Sequence, residues 1–299
     1  MSAQKRKTPR RRYRVIRVRS WERLREAMEH SDYQSWAFRG QASSEWPLYT
    51  SMSRYLQSYN VHPAAWSEQE SRILRIFKRK AHLLLTHLPD EDDSFQWLGL
   101  MQHHGAPTRL LDFTWSPYVA AFFALERATD EAAVWAVSPS LLNFRRPSRK
   151  QRAKPQDKPQ EMAPWVRGGY ETYFLPNTNR IVVAGEPHRM NERLVAQSGT
   201  FLMPGVLDEP IEALAPRQGI VKFVLDARVI RRSAMAELYR MNISNATLFP
   251  GLDGLARSLA YELETHWAFD PITMKRRPGF YMEERRTTEA EGKRDVRDN

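Results

Sequence analysis

His103-His104-Gly105-Ala106-Pro107-Thr108-Arg109-Leu110-Leu111-Asp112-Phe113-Thr114 decides how this chain is read. The run sets an Arg, an Asp and two Thr hydroxyls inside a short β-like segment, and Ser116-Pro117 then opens an uncharged helix. Polar groups at that density in an otherwise apolar segment need partners, because burying one unpaired costs about 1–3 kcal/mol. A second island, Ala37-Phe38-Arg39-Gly40-Gln41, places a cation between an aromatic ring and a glycine. Function turns on whether the two islands meet.

Working outward, Gly105 reads as the glycine that closes a helix over 94–104, with Pro107 just beyond it. A strand over 108–113 follows. Next come a helix over 117–127, with Ser116 as its cap and Pro117 in its first turn, and a strand over 133–137. Upstream, residues 13–19 alternate charged and apolar side chains, a strand with one buried face. Ser20 caps a helix to about residue 30, and 35–40 reads as a strand carrying Arg39. Pro47 opens a helix to about residue 57. A long helix over 63–88 carries Ile73, Ile76, Phe77, Leu84 and Leu88 near the helical period. Downstream, strands are expected over 180–184 and 220–225, and helices over 227–240 and 253–266, the last capped by Asp253.

Helices fill the first third, and short strands recur later without regular βαβ spacing. That pattern points to an α+β fold with mixed or antiparallel sheets of short strands, and away from a doubly wound parallel sheet. One domain is expected over 13–274. It is flanked by a basic arm at 1–12 and a loose tail of mixed charge at 275–299, and a mobile loop rich in Arg, Lys and Pro interrupts it at 145–164.

The net charge of +11 is concentrated rather than spread: residues 1–25 hold eleven Lys/Arg against Glu22, so the rest of the chain is close to neutral. Such a segment (residues 5–25) either contacts nucleic acid or an acidic protein through counterion release, or is a solvated tail. The chain has no Cys, which excludes disulfides, thiolate metal sites and cysteine nucleophiles. The longest uncharged apolar stretch, 113–125, is roughly half of what a bilayer span requires. No secretory signal follows the basic start, so a cytoplasmic protein without membrane contact is expected. No GxGxxG, Walker A or GxSxG motif is present. Asp112 and Asp226 are isolated, unlike the clustered carboxylates of a metal-dependent nuclease. His103 and His104 are adjacent, and neighbours on a helix point about 100° apart, so they do not share a metal. A capping or hydrogen-bonding role and a general-base role stay open for His104. Arg109 pairs with either an acidic residue or a phosphate.

Phe38-Arg39-Gly40, the run from Gln102 to Thr114, Ser116-Pro117 and Ala120-Ala121-Phe122-Phe123-Ala124 resemble the FRG domain family. Gln197-Ser198-Gly199-Thr200-Phe201 and Leu248-Phe249-Pro250-Gly251-Leu252-Asp253-Gly254-Leu255-Ala256 continue that resemblance in order. The family is met in bacteria and phages, sometimes in defence settings, which implies a defence or toxin effector. A weaker, fold-level similarity is to ADP-ribosyltransferase-like proteins. In those, a strand bearing Arg or His, a strand with Ser/Thr hydroxyls leading into a helix, and a strand with Glu build the site.

By that similarity Arg39 takes the first position, Thr114 the second and Gln197 the third, with Gln in place of the usual Glu. The implied substrate is NAD, and the implied reaction cleaves the nicotinamide–ribose bond through an oxocarbenium-like transition state. Arg39 would bind a phosphate or ribose oxygen, Thr114 would hold the ribose, and Gln197 would orient the 2′-hydroxyl. Asp112 and Glu171 are the candidate carboxylates. Arg39, His104, Thr108, Arg109 and Thr114 are the candidate ligand-binding residues, and no metal is implied. Two alternatives stand beside this reading: a module that binds a nucleotide or nucleic acid without turnover, and an Arg39 that merely pairs with Asp112 inside the core.

Overall fold

The computed structural model describes residues 13–142, 162–264 and 268–276. The arm at 1–12, the loop up to residue 161 and the tail from 277 lie outside the described residues. Ala163, at the end of the expected exposed loop, is buried.

Among the described residues seven strands form one mixed sheet. They are β1 (Arg14–Val18), β2 (Ala37–Gln41), β3 (Leu111–Thr114), β4 (Glu131–Val137), β5 (Val182–Gly185), β6 (Gly199–Pro204) and β7 (Ile220–Asp226). Their order across the sheet is β1-β7-β4-β2-β3-β6-β5. Only β1 and β7 run parallel; every other neighbouring pair is antiparallel. The chain therefore has the expected α+β class. The helices are α1 (Trp21–Glu29), α2 (Ser51–Ser58), α3 (Trp66–Ala81), α4 (Ser94–His103), α5 (Pro117–Leu125), α6 (Pro139–Leu142), α7 (Gly169–Tyr173), α8 (Glu192–Ala196), α9 (Ile211–Leu214), α10 (Ala227–Arg240), α11 (Asn245–Leu248) and α12 (Leu252–Glu264). The chain divides into two compact units, one ending at Ile243 and one beginning at Ser244. All seven strands belong to the first.

Capping chemistry sets the helix starts. Ser20 accepts from the Arg23 amide and Ser116 from the Val119 amide, each satisfying a donor that the first turn leaves free. Gly105 closes α4 at φ +79°, a conformation open to glycine without strain. Several expected bounds move: the strand expected over 108–113 begins at Leu111 and ends at Thr114, which leaves Thr108 and Arg109 outside it, and helix bounds shift as well. The helix expected from Pro47 begins at Ser51, because Thr50 caps it by accepting from Ser53. The helix expected to reach residue 88 stops at Ala81, and Leu84 beyond it is exposed: the apolar period continues, but no core faces it. Helix α12 begins at Leu252, so Asp253 lies in its first turn and is not its cap.

Alternation along the strands divides the packing between the two sheet faces. Ala37, Leu111, Phe113, Trp135, Val137, Leu202 and Ile220 turn to one face, where Leu48, Leu142 and Ile211 cover them. Phe38 and Gly40 turn to the other. There β2 meets α5 so closely that a Cβ on Gly40 would lie 1.9 Å from the Ala120 carbonyl oxygen and 2.5 Å from the Ala124 nitrogen. Glycine at position 40 and the alanines of α5 are thus one packing requirement read from both sides.

Candidate functional site

The sheet is incompletely zipped at its centre. β2 shares five register pairs with β4, and β3 shares four with β6, but β2 and β3 share the single pair Phe38↔Thr114. Beyond that pair the strands part. The Arg39 side chain crosses the gap and its Nη1 donates to the Asp112 carbonyl at 2.6 Å, so a side chain replaces part of the missing ladder. A cavity of about 940 Å³ opens there, within the range of small-molecule sites. Residues 38–42 and 112–114 line its strand walls. Trp46, Pro47 and Tyr49, from the loop after β2, and Arg54, Gln57 and Ser58 of α2 line it as well; Phe123 of α5, Glu126, Arg127, Arg193 of α8 and Gln197 complete it.

Arg39, Asp112, Thr114 and Gln197 therefore line one cavity, and the two sequence islands meet there. Arg39 is only 20% exposed along its side chain. Its Nε is buried with no hydrogen-bond partner, and its one nearby carboxylate, Asp112, stands 4.0 Å from Nη1. Burial pulls its pKa below the usual arginine value; Asp112 opposes this, and the positive charge of Arg54 adds to it. The arrangement is a cation short of acceptors, facing a cavity. The pairing with Asp112 that the sequence leaves open is present at 4.0 Å, but Asp112 is half exposed, so the pair stands at the cavity wall and not inside the core. Four arginines line the walls, at positions 39, 54, 127 and 193, against Asp112 and Glu126. Arg127 stands 4.0 Å from Glu126.

Asp112 is half exposed, and its carboxylate accepts from Gln102 Nε2 at 3.0 Å. Gln102 in turn accepts from the Thr108 hydroxyl at 2.7 Å. The family-like run thus contains its own brace: Thr108 fixes Gln102, and Gln102 fixes Asp112. The Thr114 hydroxyl donates to the Gln197 carbonyl at 2.6 Å and accepts from the Ser116 amide at 3.0 Å. It ties the end of α8 to the start of α5, which leaves it poorly placed to hold a ribose.

Three expected ligand-binding residues do not line the cavity. Thr108 is fully buried, its hydroxyl engaged with Gln102 and with the Leu110 amide. Arg109 is fully buried in an ion pair with Glu70, Nε reaching Oε1 at 2.6 Å and Nη2 reaching Oε2, while Nη1 donates to the Pro204 carbonyl. Burial works against its charge, but Glu70, with a smaller contribution from Tyr170, opposes this and the net effect raises its pKa. Its partner is therefore an acidic residue of the fold, not a phosphate. His104 is exposed after α4, its ring edge-on to His103 at 4.9 Å. Glu171, the other candidate carboxylate, accepts from Ser94 Oγ at 2.5 Å and is not part of the lining. Among the described residues no group of three His, Cys, Asp or Glu could hold a metal, and no helix is long and apolar enough to cross a membrane.

Sequence reasoning missed Trp46, Arg54 and Gln102. The available signal was proximity: Trp46 and Arg54 follow Arg39 closely, and Gln102 opens the very run that carries Asp112.

Residues 34–133, which hold β2, β3, α5 and the start of β4, match the FRG domain family. No curated protein and no solved structure matches the chain.

Proposed function

We propose that this FRG domain protein binds a nucleotide of the NAD class in the cavity between β2 and β3 and cleaves its nicotinamide–ribose bond. The observation that supports the reading best is Arg39, buried except toward the cavity and short of acceptors. A planar guanidinium that is only 20% exposed and has a free donor binds a phosphate oxygen more strongly than it would in open water. Of the two carboxylates in the lining, Asp112 is the one that stands beside Arg39. In the proposed step the C1′–N bond breaks and nicotinamide leaves with the electron pair. The Asp112 carboxylate stabilises the oxocarbenium-like ribose; water or an acceptor nucleophile then bonds to C1′, and Asp112 takes the proton released. Gln197 lines the same cavity and is assigned the orienting of the ribose.

Incubation of the full chain with NAD, followed by chromatography for free nicotinamide, tests this. Release that is abolished in Arg39→Ala and Asp112→Asn, with circular dichroism unchanged, supports the reading; no release from the wild-type chain overturns it.

One observation favours the non-enzymatic alternative. The Thr114 hydroxyl is committed to Gln197 and Ser116, which removes one expected contact to substrate. In that reading the same cavity binds the nucleotide without turnover. Polyanion contact through residues 5–25 is a separate proposal. Two of its cations have protein partners, Arg17 with Glu131 and Arg25 with Glu237 at 3.6 Å. Salt-dependent nucleic-acid binding that is lost on deleting residues 1–12 tests it.

A further inference from the structure

We propose that the ligand of this cavity is a nucleoside diphosphate or an ester of one, its base stacked on Trp46 and its two phosphoryl groups shared by Arg39 and Arg54. The inference rests on reading the cavity as a nucleotide site and does not require cleavage.

Trp46 is 55% exposed, an unusual place for an indole, yet its loop is pinned on both sides. Before it, Ser44 is buried; its amide donates to the Glu131 carbonyl at 2.7 Å, and its carbonyl accepts from the Lys222 ammonium. After it, Leu48 is fully buried, and its amide donates to the Glu212 carboxylate at 3.1 Å. The loop therefore holds an exposed aromatic side chain in the cavity lining rather than letting it fold away. A flat apolar ring presented in this manner suits a nucleobase, since every base offers a face to stack.

Arg54 supplies the second charge. Its Nη1 donates to the Tyr49 carbonyl at 2.7 Å, which turns the side chain back toward that same loop. Among the described residues no carboxylate pairs with it. Arg39 has only Asp112 at 4.0 Å. Both side chains line the one cavity, and the charge of Arg54 adds to the effect of burial in lowering the Arg39 pKa. Two cations lining one cavity, with Asp112 at 4.0 Å from Arg39 and no carboxylate paired with Arg54 among the described residues, match a ligand with two anionic groups, and a single phosphate would leave one cation unmatched.

Calorimetric titration of the full chain with adenosine, AMP, ADP and inorganic pyrophosphate tests the assignment. ADP is expected to bind at least tenfold more tightly than AMP. Arg54→Gln should reduce ADP to the AMP level and leave AMP within about twofold. Trp46→Ala should weaken ADP and AMP about tenfold and leave pyrophosphate unchanged, and Trp46→Phe should restore most of the loss. Melting curves identify a variant that fails to fold. Equal binding of ADP and AMP, an Arg54→Gln variant that affects both alike, a Trp46→Ala variant that affects neither, or no binding of any probe overturns the inference. Should the ADP pattern appear while NAD yields no nicotinamide, the diphosphate assignment stands and only the cleavage reading is lost.

Discussion

Phe38 and Thr114 form the one register pair that joins β2 to β3 among the described residues, and the candidate site exists because the ladder stops there. Had pairing continued, Gly40 would oppose Asp112 and the cavity would be closed by backbone. Instead the Arg39 side chain reaches the Asp112 carbonyl across the opening. The same guanidinium holds two strands in place and presents charge to the cavity, so its two roles are separable by experiment.

Arg39→Ala should weaken ADP binding at least tenfold, about 1.4 kcal/mol. It should lower stability by only about 0.5–1.5 kcal/mol, the net value of one ordinary hydrogen bond. Calorimetry and urea unfolding on the same preparation separate the two effects. A loss of stability several times larger would mean that Arg39 is chiefly a structural strut.

Glu70→Gln should behave in the opposite manner. It leaves the Arg109 guanidinium fully buried without its counter-charge, and breaking such a pair costs about 3–5 kcal/mol. Urea unfolding should show that loss, while nucleotide affinity of the remaining folded protein stays within about twofold, because neither residue lines the cavity. A selective loss of affinity with stability intact would return Arg109 to the ligand-binding set.

Gly40→Ala should destabilise by about 3 kcal/mol or more, at the upper end of overpacking effects, and reduce soluble yield. The obstacle at 1.9 Å is the Ala120 peptide oxygen, so a second change, Ala120→Gly, should not rescue the variant. Rescue would show that side-chain volume, not backbone approach, fixes the glycine.

His103 gives a pH signature. Its Nδ1 is buried without a partner; burial, His104 and Arg193, in that order, lower its pKa. The unfolded chain therefore takes up a proton near pH 6.5 that the native state resists. More protons are bound in the unfolded state, so stability rises with pH through that region and falls as pH drops below it. Urea midpoints from pH 5 to 7.5 should show this slope, and His103→Gln should flatten it. An unchanged slope in the variant would assign the effect to other groups.

Much of this arrangement was legible in the residues, and what was not has physical causes. The helix caps at Ser20 and Ser116 and the glycine close at Gly105 are local chemistry, and local chemistry is what a sequence displays. Arg39 and Asp112 stood out because polar groups inside apolar strands demand partners. Strand β6 went unread: all six of its residues are buried, so it has no alternation, and its Gly199 and Pro204 resemble breakers. The Arg109–Glu70 pair joins residues from β3's approach and α3, a distance in sequence that no period reveals. The overrun past Ala81 has the converse cause: leucines kept the period after the core that would bury them had ended. Trp46 and Arg54 escaped because their significance lies in facing an opening that only the parting of β2 and β3 creates.

A crystal structure of the full chain soaked with ADP tests the central claim most directly. The account predicts a phosphate oxygen within about 2.7–3.2 Å of the Arg39 guanidinium, with β2 and β3 still joined only at Phe38 and Thr114. Strands 39–41 and 111–113 zipped together, or a nucleotide bound elsewhere with Arg39 untouched, would contradict it.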